Sequence, residues 1–240
     1  MALPKQSSPK YKCILPSDGR EVEYRPFLVK EQKVLMMAQE QENNDAAMFN
    51  AVKDLIESVT FGKVKPDSLP IIDMEYLFLK IRTKSIGETA NIQVTCNNEG
   101  CEGGQGTTVI NLDDVEVVGE EPENKIMISD ELGIELRYPR ISDVGSNPVE
   151  TDSAESEAIR TLELVKSCMV NIYDAEEVYP IADASTNEIN EFMDSLSMSQ
   201  LEKITSYFEG LPSLKKEVSA DCGKCGKEIR TTVSGLNNFF

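Results

Sequence analysis

Apolar and polar positions change period several times along this chain, and each change marks an element. Tyr11–Leu15 and Glu21–Tyr24 read as two strands about Pro16-Ser-Asp-Gly19, whose residues favour a turn. Over 29–41, Val29, Leu35, Met36 and Met37 stand among Lys, Glu and Gln, which predicts an amphipathic helix. A second helix is predicted over 45–59, where Met48, Phe49, Val52, Leu55, Ile56 and Val59 follow helical spacing. Pro66 and Pro70 break the chain before a third helix over 73–85.

From Glu88 the period shortens. Asn91–Thr95 and Thr107–Leu112 read as strands, 113–118 as their continuation, and 125–129 with 134–138 as a hairpin. Residues 145–157 are rich in Pro, Ser, Thr and acid and suit an exposed connection, the best candidate for an internal boundary. Helix is expected again from Ala158 to about Ile172. Ser185-Thr-Asn-Glu188 and Ser197-Met-Ser-Gln200 then match the reciprocal cap in which the first side chain takes an amide and the fourth reaches back. Helices over 188–196 and 200–209 should follow, before strands at 217–219 and 228–233. The expected fold is α+β, a helical body in which 29–85 and 158–209 pack together, with antiparallel β-hairpins at one end. Its segments are an N-terminal arm and hairpin (1–25), helices (26–87), a β-rich stretch (88–144), the acidic linker (145–157), helices (158–212) and a terminal hairpin with tail (213–240).

Cysteine changes this picture most. Cys96 and Cys101 lie on one short turn, Cys222 and Cys225 on another, and both turns contain glycine. Val94-Thr95-Cys96 through Thr107-Thr108-Val109 parallels Val218-Ser219 through Thr231-Thr232-Val233, so each knuckle sits between strands. Two such knuckles supply the four soft ligands of a closed tetrahedral zinc site. The chain has no histidine, so such a site must use four thiolates or include a carboxylate. Cys96, Cys101, Cys222 and Cys225 are therefore the candidate ligands of a structural Zn²⁺ in a discontinuous, zinc-ribbon-like element. Free thiols and redox chemistry remain alternatives; a redox pair needs a thiolate beside a helix N-terminus or a cation, for which Lys224 and Lys227 are the nearest candidates. Cys13 and Cys168 stand alone and read as core thiols, as Met36, Met37 and Met48 read as core methionines.

Charge narrows function further. With 24 basic and 42 acidic side chains the net charge is −18, which repels phosphate backbones and suits a basic protein partner. Nucleic acid is not expected. Neither a bilayer-spanning apolar run nor the apolar core of a signal peptide is evident, which points to an intracellular setting with free or metal-bound thiols. Without histidine the common nucleophilic triads are excluded. The paired acids Asp113-Asp114, Glu120-Glu121, Asp130-Glu131 and Glu176-Glu177 are what an acidic surface produces, and Gly103–Gly106 lacks the Lys-Ser/Thr of a phosphate loop. No enzyme is expected. Phe239-Phe240 either folds over the terminal hairpin or enters a partner.

One ordered set of motifs carries a family resemblance. Pro16-Ser-x-Gly19 with Tyr24-Arg25-Pro26-Phe27-x-Val29-Lys30-Glu31-x-Lys33 is similar to the opening of T4-type bacteriophage baseplate proteins. Leu201-x-x-Ile204, Phe208-x-x-x-Pro212-x-Leu214, Cys222-x-x-Cys225-Gly226 and Gly235-Leu236-x-x-Phe239-Phe240 continue it. The chain most resembles the baseplate hub subunits of T4-like tailed phages. That resemblance implies a non-enzymatic structural or chaperone-like assembly protein with baseplate hub or tail proteins as partners. It would be made in the host bacterial cytoplasm, with retention in the virion baseplate as the alternative. The competing expectation is a zinc-ribbon regulator of nucleic acid or polymerase, drawn from Lys215, Lys216, Lys224, Lys227 and Arg230 around the second knuckle.

Overall fold

The structure, a computed structural model, describes residues 7–40, 45–144 and 154–235. The connection expected at 145–157 falls mostly outside these residues, as does Phe239-Phe240. Helices and antiparallel sheets form an α+β fold, divided into two compact units. One contains 1–66, 72–118 and 213–240; the other contains 67–71 and 119–212. The helices expected to share one body thus belong to separate units, each with its own apolar interior.

In the first unit, β1 (Tyr11–Ile14) and β2 (Glu21–Tyr24) pair antiparallel. Helices α1 (Val29–Gln39), α2 (Asp45–Val59) and α3 (Ile71–Ser85) follow. Val52, Leu55, Ile56 and Val59 are all buried, as their spacing requires. Helix α1 departs from expectation. Met36 and Met37 are 54% and 66% exposed, so the two methionines read as core lie on the surface. The buried positions of α1 are Glu31 and Ala38 instead. Glu31 is held there because Arg25 Nη2 (2.9 Å), Ser58 Oγ (3.2 Å) and the Leu28 amide (2.7 Å) all donate to its carboxylate. Burial alone would raise the Glu31 carboxyl, but Arg25, the Leu28 amide and Lys30 outweigh it and hold it at about 2. Asp73 is likewise fully buried and accepts from the Ser17 amide (2.9 Å) and hydroxyl (2.5 Å), joining the first turn to α3.

The remaining strands of this unit build the end that carries the cysteine knuckles. Strands β3 (Thr89–Thr95) and β4 (Gln105–Asn111) form a hairpin with Thr95 opposite Gln105. After a 3-10 turn at Leu112–Asp114, β5 (Glu116–Val118) leaves that hairpin rather than continuing it. It pairs with β10 (Ser213–Asp221), whose other edge carries β11 (Glu228–Ser234). Val118 lies opposite Ser213, so the chain leaves for the second unit and returns from it on adjacent strands.

The second unit is a four-stranded sheet with helices. Strands β6 (Lys125–Met127), β7 (Gly133–Leu136), β8 (Met169–Tyr173) and β9 (Val178–Pro180) lie in sequence order, all antiparallel. A short helix α4 (Ile141–Val144) and then α5 (Ala154–Cys168) precede β8. The helix expected to run to Ile172 therefore ends at Cys168. Met169–Tyr173 is drawn into the sheet because β7 offers a strand to pair with, a long-range opportunity that local periodicity cannot register. Helices α6 (Thr186–Ser195) and α7 (Met198–Gly210) start at the caps expected for them: the Glu188 amide donates to Ser185 Oγ and the Gln200 amide to Ser197 Oγ. Ile134, Leu136, Val165, Met169, Ile204 and Tyr207 are buried together between sheet and helices. Among the described residues no helix is long and apolar enough to cross a membrane.

Candidate metal centre

Both cysteine knuckles are products of hairpin geometry. The first spans the β3–β4 connection: the Cys96 amide donates to the Gly104 carbonyl (2.7 Å), and the Cys101 amide to the Asn98 carbonyl (3.1 Å). The second spans β10–β11, where the Cys222 amide donates to the Lys227 carbonyl and the Gly226 amide to the Cys222 carbonyl, each at 2.9 Å. One main-chain bond joins the two knuckles, from the Gly223 amide to the Gln105 carbonyl (2.9 Å).

Glycines permit this approach. A Cβ on Gly106 would lie 2.8 Å from the Asp221 carbonyl and 2.9 Å from Ala220 Cβ, so β4 can pack on β10 only without a side chain there. A Cβ on Gly104 would lie 2.5 Å from Cys101 Sγ and 2.7 Å from Cys222 Sγ. Gly104 therefore leaves room for the sulfurs. Its place three residues after Cys101 was readable in the sequence, but there Gly103–Gly106 was read only for the phosphate loop it does not make.

The four sulfurs all lie within 4.8 Å of one another. Cys96 and Cys225 are 3.8 Å apart, Cys101 and Cys222 3.7 Å, so the short contacts run between knuckles 121 and 129 residues apart in sequence. Thiolates held tetrahedrally about an ion at roughly 2.3 Å would be about 3.8 Å apart. A disulfide would need about 2.05 Å. The donor set and its spacing fit one tetrahedral metal ion. Cys96, Cys101 and Cys222 are buried, and Cys225 is exposed.

Local donors favour the charged form on one side of the cluster. The amides of Cys225 and Lys224 point at Cys222 and pull its thiol down to about 6; the Lys224 amide is 3.4 Å from the sulfur. Cys96 is lowered by the Asn98 amide, and the Asn98 side chain also donates to it at 3.2 Å. Burial and the neighbouring sulfurs push Cys101 up to about 12. A cation among the sulfurs would supply the charge that lets this thiol ionise as well. Lys224 Nζ is tied 2.6 Å from the Glu102 carbonyl and so bridges the two knuckles.

Over residues 8–240 the sequence matches the family described as T4 bacteriophage base plate protein. The chain belongs to this family. No curated protein and no solved structure matches it.

For this baseplate protein, the structure brings together all four cysteines that the sequence singled out. It leaves the other two apart, each buried. Burial raises the Cys13 thiol to about 11 and the Cys168 thiol to about 12, as expected for core thiols. Asn98 and Gly104 are the site residues that the sequence did not reveal. A hydrogen bond to a sulfur and a missing Cβ have meaning only once the knuckles face each other.

Proposed function

We propose that this baseplate protein is a non-enzymatic structural or chaperone-like assembly component of the baseplate hub in a contractile tail, and that one zinc ion on Cys96, Cys101, Cys222 and Cys225 holds it together. The observation that carries the metal half is the four-sulfur cluster, drawn from knuckles 121 residues or more apart. A site of four thiolates has no open position for a substrate, so its contribution is to folding. When bound, zinc would neutralise thiolate charge and fasten β3–β4 to β10–β11. Family membership supports phage baseplate and tail proteins as partners. Made in the host cytoplasm, the protein would meet them during assembly, with retention in the virion baseplate as the structural alternative. Its acidity disfavours nucleic acid.

The regulator alternative draws less support. Lys216 pairs with Asp114 (3.7 Å), Arg230 with Glu228 (3.0 Å), and Lys224 Nζ is spent on a carbonyl, so the basic cluster at the second knuckle is largely answered within the chain.

Elemental analysis of purified protein tests the metal. One zinc per chain is expected, lost from Cys225→Ser and from Cys96→Ser. A metal-free wild type with four reactive thiols would refute it. Affinity capture from infected cells tests the function. Hub and tail proteins are expected, and recovery of host metabolic enzymes alone would refute the hub assignment.

A further inference from the structure

The sheet of the second unit has one face on the helices and one open. Alternation along the strands sorts the side chains. Ile126, Ile134 and Ile172 are cross-strand neighbours and belong to the buried side. One residue on, the register Met127–Gly133–Tyr173–Val178 runs across all four strands on the opposite face. Met127 is 49% exposed and Val178 58%. A Cβ on Gly133 would overlap the Tyr173 ring, so that ring lies across Gly133 and completes an apolar row. Both hairpin turns at this end of the sheet are acidic: Asp130 and Glu131 in one, Asp174, Glu176 and Glu177 in the other. The row also belongs to the acidic unit, which has 22 Asp and Glu against 6 Lys and Arg, a net −16, where the first unit has 20 against 18, a net −2.

A surface of complementary chemistry lies on α1. Val29, Lys33, Met36 and Met37 recur at helical spacing on its outer face, beside Lys30, whose Nζ pairs with Glu31 at 3.2 Å, and Val29 is 68% exposed. The dimensions agree. Val29 to Met37 spans about 12 Å along a helix. Three interstrand steps from Met127 to Val178 span about 14 Å.

We propose that these are the two halves of one self-contact: α1 of one copy docks across the outer face of the β6–β9 sheet of a second copy. Like-on-like pairings are disfavoured, because α1 on α1 would oppose lysines to lysines and sheet on sheet would oppose carboxylates to carboxylates. Only helix on sheet sets Lys33 against the acidic turns while covering both apolar rows. Made reciprocally about a two-fold axis such a contact closes as a dimer; made once, it leaves one face of each kind free and propagates into a ring or a short chain. The inference rests on neither the metal nor the hub assignment.

The test uses the purified full chain in sedimentation velocity across a concentration series. Wild type should associate, and raising salt from about 0.05 to 0.5 M should weaken association several-fold, since the charges lie at the rim. Met36→Gln/Met37→Gln and Met127→Gln/Val178→Gln should each weaken it about tenfold or more. Lys33→Glu, which leaves both the apolar face and the Lys30–Glu31 pair intact, should weaken it too. Circular dichroism checks that each variant is folded. Mixing the two Gln variants should restore pairing through their one intact combination and stop at a heterodimer. A wild type that stays monomeric at low salt overturns the proposal, including when it binds some other basic protein. So does either Gln variant associating like wild type, or a mixture that fails to pair.

Discussion

Substituting Gly104 with Ala probes the proposed metal centre without removing a cysteine. The added Cβ would lie 2.5 Å from Cys101 Sγ and 2.7 Å from Cys222 Sγ, with Cys96 Cβ at 3.1 Å. Ordinary non-bonded contacts are about 3.5–4.0 Å. Both sulfurs would have to retreat by about 1 Å, whereas metal–ligand distances tolerate about 0.2 Å. The backbone cannot easily give instead, because the Gly104 carbonyl accepts the Cys96 amide at 2.7 Å. Overpacking of this kind costs about 1–3 kcal/mol, which corresponds to roughly 5- to 150-fold in zinc affinity. Gly223→Ala in the opposite knuckle is the control. Its Cβ would meet only the Gln105 carbonyl, at an ordinary 3.5 Å, and affinity should be unchanged. Zinc competition against a chromophoric chelator measures both variants, and the cobalt-substituted spectrum reports whether a tetrahedral thiolate site survives. Wild-type affinity and spectrum in Gly104→Ala would refute the reasoning, because the sulfurs would then not be where the metal needs them.

Three further outcomes follow from groups elsewhere in the fold. The Glu31 carboxyl is held at about 2 in the folded chain against 4.5 when free. Its stabilisation is therefore complete above pH 4.5 and lost as pH falls toward 2. It amounts to about 2–3 kcal/mol, and Glu31→Gln should flatten that part of the acid-unfolding curve. Arg137 grips Asp143 with both nitrogens (2.7 and 3.0 Å) and also donates to the Ser167 carbonyl, so Arg137→Lys should destabilise the second unit by about 1–3 kcal/mol in chemical denaturation. Unchanged denaturation would show that the fork is dispensable. Chelation should lower the melting temperature of wild type and of Cys168→Ala alike, with equal zinc release from both, since Cys168 is buried away from the sulfur cluster.

Much of the local structure was legible because its causes are local. Helix α2 declared its buried stripe through the spacing of Val52, Leu55, Ile56 and Val59, and α6 and α7 declared their starts through Ser185 and Ser197, whose caps involve residues three apart. Helix α1 misled for a physical reason. Helical periodicity states that Val29, Met36 and Met37 share a face but not that a neighbour covers it, and here the buried strip is held by the ion pair of Glu31 with Arg25. Met169–Tyr173 misled in the opposite direction, since its apolar run suits helix or strand and β7 decided the matter.

By itself the sequence determined the chemistry available: four thiols on two glycine-bearing knuckles, no histidine, a large excess of acid, and motifs in the order of a T4-type baseplate protein. These are properties of residue identity and short spacing, which survive in an unfolded chain. Tertiary structure alone decided that β5 leaves β4 for β10, that Gly104 and Gly106 let two hairpins close on each other, and that sulfurs 121 and 129 residues apart come within 3.7 and 3.8 Å. Long-range pairing depends on which surfaces remain free after local structure has formed, and no window of neighbouring residues contains that information.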